Sequence, residues 1–358
     1  MALHFHKLTV KDIRRETADC ISIAFDIPAI LAKDFEFKQG QSINVRIVNN
    51  GEEIRRSYSI CTSPLEKELR IGVKKVTDGI FSTYANTILK KGDEIEVMTP
   101  SGKFYTEINP LHKKSYLAFA AGSGITPIIS IIKTVLFSEP ESSFTLVYGN
   151  RHISSIIFRE ELEALKNKYM DRFRMINILS REKTDAEITY GRIDKNKCRQ
   201  LEAVIDISAC DEFFLCGPES MIFSVKEYLE EKGISPKNIH FELFTTPLRA
   251  EAGFKKFAEK EPIKDTSHIT VKADGRTFEF NLDYDSNTIL DAALAEGADL
   301  PFACKGGVCT TCKAKLVSGE VEMEVNYGLE PDEVEAGFIL TCQSHPRTGE
   351  VVVDYDVK

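Results

Sequence analysis

Over its first hundred residues the chain alternates apolar and polar positions in short runs, at Ser42–Val48, Ser57–Ile60, Leu69–Val76 and Asp93–Met98. Turn-formers Gly51, Pro64, Gly79, Gly92 and Gly102 punctuate them. Period-two alternation marks half-buried strands, and many short strands at this spacing predict an antiparallel barrel or sandwich. From about residue 113 the pattern changes. Apolar runs at Ser115–Ala121, Phe144–Tyr148, Phe173–Leu179 and Glu212–Cys216 read as buried strands. They alternate with helical stretches at Pro127–Phe137, Ser155–Tyr169 and Glu219–Lys232, which predicts an α/β doubly wound parallel sheet. Residues 248–265 are charged, lack a strong apolar period and read as a linker. Beyond it, Ile269–Ala273 and Thr277–Asn281 flank Asp274-Gly275, the signature of a tight primed hairpin turn. A helix is predicted over Thr288–Glu296, where Thr288-x-x-Asp291 resembles a capping box. The expected organisation is a barrel over 1–110, an α/β domain over 111–247, the linker over 248–265 and a C-terminal domain over 266–358.

Length and composition sharpen this. A chain of 358 residues suits two or three cores rather than one. Its 42% hydrophobic and 28% charged content makes ordered domains the expectation. Met1–Arg15 mixes His, Lys, Asp and Arg with scattered apolar residues, unlike an export signal. The longest apolar stretch, Leu117–Ile132, is broken by Gly122, Gly124 and Pro127. It is also shorter than the roughly 20 residues that a membrane span needs. The expectation is a cytoplasmic protein with no membrane contact. Nine cysteines without an export signal point to reduced thiols or metal ligation rather than disulfides.

The net charge of −9 is unevenly spread: +1 over 1–110, −1 over 111–247, +1 over 248–265 and −10 over 266–358. Such a surplus argues against nucleic acid and predicts a partner with a basic docking surface. The plainer reading is a charge that merely keeps the domain soluble.

Four cysteines in that acidic quarter carry chemistry: Cys304-x4-Cys309-x2-Cys312 and, thirty residues later, Cys342. This is the plant-type ferredoxin spacing for a [2Fe–2S] cluster. A short loop can supply three thiolates only if its backbone bends sharply. Gly306 and Gly307 permit the bend, and small Thr310 and Thr311 keep bulk away from the sulfides. Zinc is the rival metal, but it favours two paired Cys-x2-Cys units and only Cys309/Cys312 forms one. Cys20, Cys61, Cys198 and Cys210 read as ordinary thiols.

Two motifs in the barrel suit a phosphate-bearing cofactor. Arg56-Ser57-Tyr58-Ser59 lies on a predicted strand, and Gly79-Ile80-Phe81-Ser82 opens a helix-like segment, Ser82–Leu89. The second offers a close backbone, a hydroxyl and helix-terminal amides. Arg56 adds a planar fork for a pyrophosphate, and Tyr58 an aromatic face. The pair resembles the ferredoxin–NADP reductase superfamily, whose barrel binds FAD or FMN; FAD is expected here. That resemblance implies Tyr58 stacked on the flavin, Ser59 hydrogen-bonded toward its N5, and Val73–Lys75 along the ribityl chain.

Ala121-Gly122-Ser123-Gly124-Ile125-Thr126-Pro127 follows a buried strand and opens a helix. Glycines let a dinucleotide approach the backbone. Pro127 stands where a Rossmann fingerprint has its third glycine, a departure shared with the same superfamily. Tyr148-Gly149-Asn150-Arg151 and Cys216-Gly217-Pro218 match at two further strand ends, the latter beside the nicotinamide in the family. Phe241-Glu242-Leu243-Phe244 resembles the segment covering the other flavin face, with Phe244 displaced for hydride transfer. Ser59, Cys216 and Glu242 are thereby the expected catalytic set. Ser180-Arg181 resembles the Ser-Arg pair of NADP-binding reductases, with Arg151 and Arg192 adding charge, so NADPH is expected over NADH.

The implied route runs from NADPH to FAD to the cluster and then to an external protein. This order of domains resembles the reductase components of multicomponent bacterial oxygenases. The stretches Phe302–Cys309, Asn326–Glu330 and Leu340–Gln343 resemble more narrowly the reductase subunits of phenylacetyl-CoA ring-epoxidising complexes, which implies a di-iron oxygenase partner. Alternatives are a reductase for another oxygenase, a desaturase or another redox protein. A non-turnover redox sensor is the alternative of a different class.

Overall fold

The computed structural model describes residues 4–244 and 265–357. Apart from Asp265, the expected linker 248–265 lies outside them. Two compact units result, the first spanning His6–Phe244.

That unit begins with β1 (Phe5–Thr17), β2 (Cys20–Asp26), β3 (Ser42–Asn49), β4 (Glu52–Ser59), β5 (Leu69–Lys74), helix α1 (Ile80–Thr87) and β6 (Glu94–Met98). The strands form one antiparallel sheet in the order β4-β3-β6-β1-β2-β5. An Ile60–Ile71 bridge brings its two edges together, closing the sheet into a barrel. Inward positions Ile21, Ile23, Ile43, Val45, Ile71, Val73 and Val97 fill it, and α1 plugs one end with Phe81 and Ala85. β4 begins at Glu52, five residues earlier than expected. Its extension reads Glu-Glu-Ile-Arg-Arg, where charge masks the alternation, yet every residue pairs with β3.

The chain then alternates β7 (Ser115–Ala121), α2 (Ile125–Ser138), β8 (Ser143–Asn150), α3 (Arg159–Lys168), β9 (Phe173–Leu179), α4 (Lys195–Leu201), β10 (Glu212–Gly217), α5 (Glu219–Glu231) and β11 (Ile239–Leu243). All pairings are parallel, in the order β11-β10-β7-β8-β9. The order reverses at β7, which opens a crevice at the carboxyl ends of β7 and β10. α2 is buried on nearly every side and shares a core with the barrel residues Cys20 and Cys61. α3 starts four residues later than expected. Phe158, at φ 58°, leaves the helical path and buries its ring within reach of Gly72 on β5.

The second unit contains β12 (Thr266–Ala273), β13 (Arg276–Asp283), α6 (Ile289–Ala295), β14 (Lys313–Ser318), β15 (Val321–Met323), α7 (Pro331–Glu335), β16 (Phe338–Leu340), β17 (Ser344–Pro346) and β18 (Glu350–Asp354). Asp274 and Gly275 turn the hairpin at φ 52° and 70°, the left-handed pair that a type I′ turn requires. The mixed sheet runs β13-β12-β18-β14-β16, with β12 and β18 parallel, and β15 pairs with β17. α6, capped by Thr288 Oγ1 accepting from Asp291 N–H at 3.3 Å, packs Ile289, Leu290 and Ala293 on Ile269, Val271, Val351 and Val353. Sheet and helix make the β-grasp. No helix among the described residues is long and apolar enough to cross a membrane.

Candidate functional site

The C-terminal unit gathers its four cysteines around one loop. Cys304 and Cys309 are half-buried, Cys312 and Cys342 buried. Cys309 Sγ lies 3.2 Å from Cys304 Sγ, and Cys342 is within hydrogen-bonding reach of both Cys304 and Cys312. Donation from Cys309 and Cys342 drives the Cys304 thiol well below the usual range. The bend differs in detail from expectation. Lys305 (φ 49°) and Gly307 (φ 71°) take the left-handed conformations. A Cβ on Gly307 would sit 2.6 Å from Val325 O, so only glycine fits there. Gly306 N–H points at Cys304 Sγ, 3.3 Å away. The amides of Tyr327 and Gly328 both bond Gly307 O, at 2.9 and 3.0 Å, laying 326–329 over the loop. Among the described residues no three acidic, His or Cys groups surround a single-ion position. A [2Fe–2S] core asks for two thiolates on each of two irons, and two linked pairs of sulfurs fit that demand.

In the first unit β4 aims alternate residues to one side. Tyr58 is half-buried, its ring 5.3 Å from that of Phe81 and tilted 42°. Burial pushes its hydroxyl well above the ordinary range. Arg56 Nη1 donates to Arg55 O at 2.7 Å, which orients the guanidinium. Ser57 is exposed, whereas Ser59 is buried and donates to Glu242 Oε2 at 3.0 Å. The Gly79 turn differs from its expected chemistry. Ser82 Oγ donates to Gly79 O and accepts from Val76 N–H, both at 3.2 Å. Its proton is spent within the turn, so phosphate would meet the backbone N–H groups that open α1. Phe81 and Val73 point into the barrel core, and Lys75 is exposed.

Lys74 sits inside the Val73–Lys75 stretch that the resemblance places along the ribityl chain, and strand alternation turns it away from the core. Its Nζ lies 3.6 Å from Asp19 Oδ2 and 3.9 Å from where a Cβ on Gly122 would stand. An ammonium of the barrel thus faces the glycine turn.

That turn is tightly built. Gly122 has φ 54° and its carbonyl accepts from Tyr148 Oη at 2.9 Å. A Cβ on Gly124 would lie 2.1 Å from Cys216 O, which locks the β7 and β10 ends together. Thr126 Oγ1 donates to Ser123 O at 3.0 Å. Pro127 occupies the first turn of α2, where a missing N–H costs nothing. Gly217 packs against Met221 and Ala121, and Pro218 precedes α5.

Cys216 is fully buried and pairs in register with Glu242 across β10 and β11. Burial, then the nearby Glu242 carboxylate, raises its thiol well above the usual range, so it stays protonated. Glu242 itself is half-buried, and loss of water pushes its carboxyl up to about 7 against the opposing Ser59 hydrogen bond. Phe244 ends this segment largely exposed. At the other side of the crevice Arg181 N–H bonds Arg151 O at 3.0 Å and Ser180 N–H bonds Asn150 O at 2.9 Å. Arg151 and Arg181 lie at exposed positions, as does Arg192.

Three family descriptions match the chain: an oxidoreductase FAD-binding domain over residues 7–105, an oxidoreductase NAD-binding domain over 119–227, and a 2Fe-2S iron-sulfur cluster binding domain over 271–347. The chain is 45% identical to one of the subunits of the 1,2-phenylacetyl-CoA epoxidase of Escherichia coli, across 99% of this chain and 98% of that protein. It is 33% identical to the ferredoxin reductase component of 3-ketosteroid-9-alpha-monooxygenase of Rhodococcus rhodochrous, across 97% and 96%. Among solved structures, phthalate dioxygenase reductase shares the fold with a TM-score of 0.59 and 22% identity, covering 98% of each chain.

Proposed function

We propose that this chain, which belongs to the ferredoxin–NADP reductase superfamily in its branch of oxygenase reductase components, is the reductase of a phenylacetyl-CoA epoxidase. It binds FAD, NAD(P)H and a [2Fe–2S] cluster and passes electrons from pyridine nucleotide to an oxygenase. The observation that carries the specific partner is the 45% identity to the Escherichia coli epoxidase protein, sustained over 99% of the chain.

Bound NAD(P)H supplies a hydride, bound FAD takes its two electrons and releases them singly, and the bound cluster carries one at a time. The chain's own residues hold that sequence together. Helix-opening amides at Gly79–Phe81 and the Arg56 guanidinium would hold the flavin diphosphate, and Tyr58 would offer its aromatic face to the ring. Ser59 and Glu242 keep an exchangeable proton beside it: the hydroxyl donates 3.0 Å to the carboxylate when Glu242 is ionised. Gly122, Gly124, Thr126 and Pro127 admit the nucleotide's backbone-hugging diphosphate, and Cys216-Gly217-Pro218 receives its nicotinamide end. Ser180, Arg181 and Arg151 form the 2′-phosphate pocket, which favours NADPH. Cys304, Cys309, Cys312 and Cys342 hold the cluster, and Gly306 N–H steadies one sulfur.

The domain limits follow: a flavin barrel to about 110, a nucleotide domain to about 247 and the ferredoxin domain from about 266. The partner is a di-iron oxygenase whose docking surface is basic, in the cytoplasm. Glu330, Asp332 and Glu335 are exposed around α7, directly after the 326–329 segment that overlies the cluster loop. A basic face meeting α7 would therefore approach the cluster.

The test is reconstitution. The purified holoprotein, NADPH and the epoxidase component should support oxygen-dependent turnover of phenylacetyl-CoA. The 3-ketosteroid-9-alpha-monooxygenase oxygenase component should be reduced far more slowly. Equal service to both would leave a general oxygenase reductase, and failure of NADPH to bleach the flavin would return the sensor reading.

A further inference from the structure

Helix α2 does two things at once. Gly124 caps it, and its first turn carries Thr126 and Pro127 at the nucleotide crevice. About 5–12 Å further along, at 1.5 Å per residue, its next turns present Ser130, Lys133 and Thr134 on one face, at i, i+3 and i+4. All three reach out of their own domain to the same barrel turn. Ser130 Oγ donates to Thr62 O at 2.6 Å. Thr134 Oγ1 and Ser63 Oγ lie 2.9 Å apart. Lys133 Nζ lies 2.8 Å from Glu66 Oε2 of the barrel and 2.9 Å from Glu161 Oε1 of α3.

Lys133 is unusual in being 3% exposed while fully engaged by two carboxylates. Burial works against its charge, and the carboxylates of Glu161 and Glu66 outweigh that. The barrel end is equally fixed, because Glu66 caps its own turn by accepting from Ser63 N–H. A purely apolar interface between two domains tolerates sliding, since dispersion and burial carry no direction. A charged, hydrogen-bonded contact of fixed geometry does not.

We propose that Lys133 is a positioning residue for hydride transfer: its contact with Glu66 of the barrel fixes the nucleotide-bearing helix α2 in register with the flavin barrel, whereas its contact with Glu161 of α3 stays within the nucleotide domain. Lys133 touches neither cofactor site and acts through the helix. The consequence is specific. Releasing the bridge leaves the crevice and the flavin site individually intact but misregisters them, and a misplacement of about 1 Å can cost about 100-fold in rate.

This proposal rests on the reading of the chain as an NAD(P)H–flavin reductase, which wild-type flavin bleaching tests separately. Anaerobic stopped-flow reduction of the FAD-loaded holoprotein by NADPH gives a limiting rate per bound flavin and a nucleotide dissociation constant. Lys133→Met and Glu66→Gln are expected to lower the limiting rate about 10- to 100-fold, with the dissociation constant and FAD content little changed. Lys133→Arg is expected to restore most of the rate, and Glu161→Gln, which breaks only the contact within the nucleotide domain, to retain it. Hydrogen exchange of the 62–66 amides should quicken in Lys133→Met and Glu66→Gln alone. Should Lys133→Met fail to fold, Glu66→Gln carries the test. An unchanged rate per bound flavin in Glu66→Gln, or equal slowing in Glu161→Gln, overturns the proposal. So does a fall in thermal midpoint and FAD content without a fall in rate.

Discussion

At the scale of single residues the Ser59–Glu242 pair has the clearest consequence. Glu242 holds its proton to about pH 7, whereas an unperturbed glutamate ionises near 4.5. Between those values the folded protein binds one proton more than the unfolded chain, so this group's contribution to stability falls as pH rises through that window and is level above it. Glu242→Gln removes the effect. Urea midpoints should show the variant gaining on the wild type from about pH 4.5 to about pH 7, and curves parallel throughout would contradict the assignment. Ser59 acts in the opposite sense, so Ser59→Ala should move the transition to higher pH. Arg181→Ala tests the other end of the crevice. Loss of a charge-assisted contact should raise the KM for NADPH about tenfold or more and leave that for NADH nearly unchanged. An equal change in both would reject Arg181 as the 2′-phosphate partner.

Residue patterns also show what a sequence conveys and what it hides. The Cys304, Cys309, Cys312 and Cys342 spacing is legible because a cluster demands a fixed number of thiolates from one loop, and the sulfurs do converge. Which backbone positions bend is not legible: Lys305 rather than Gly306 takes the left-handed conformation. That outcome depends on 326–329 folding over the loop, a contact made across twenty residues. Ser82 likewise reads as available for phosphate, but the local turn consumes its hydroxyl proton. Lys74 reads only as part of the Val73–Lys75 stretch, and its approach to a glycine turn some fifty residues away is not legible.

Among elements, the parallel strands and their helices are the most readable, since a strand buried on both faces is a continuous apolar run. β7 and β9 fall on the residues expected. Strands of the barrel are harder, because the outer face is wet. β1, reading Phe-His-Lys-Leu-Thr-Val-Lys-Asp-Ile-Arg-Arg-Glu-Thr, hides its alternation behind six charged residues. The start of α3 depends on Phe158 leaving the helix to pack across the unit, which no local signal announces. The β7 and β10 ends are joined through a glycine with no room for a methyl group. Gly124→Ala should therefore cost about 1–3 kcal/mol and weaken NADPH binding, read as a lowered urea midpoint and a raised dissociation constant. A neutral result would mean that the two strand ends part readily.

For the whole molecule the informative quantity is where the charge lies. Residues 266–358 carry a net charge of −10, while the flavin and nucleotide segments are near neutral. Steering toward a basic oxygenase should fade as salt shortens the screening length from about 10 Å at 0.1 M to about 3 Å at 1 M. The second-order rate of oxygenase reduction should fall steeply across that range, and the limiting flavin reduction rate at saturating NADPH should not. A flat response would return the acidic surplus to the plainer role of solubility.

The central claim is that this chain is a relay whose last station is the four-cysteine loop. Its most direct test is anaerobic mixing of NADPH with wild type and Cys309→Ser, following flavin and cluster absorbance together. The wild type should bleach its flavin and then reduce its cluster. Cys309→Ser should bleach its flavin at the wild-type rate and keep NADPH–ferricyanide activity, with the cluster signal and electron delivery to the oxygenase gone. Loss of flavin bleaching together with the cluster in Cys309→Ser would contradict the relay.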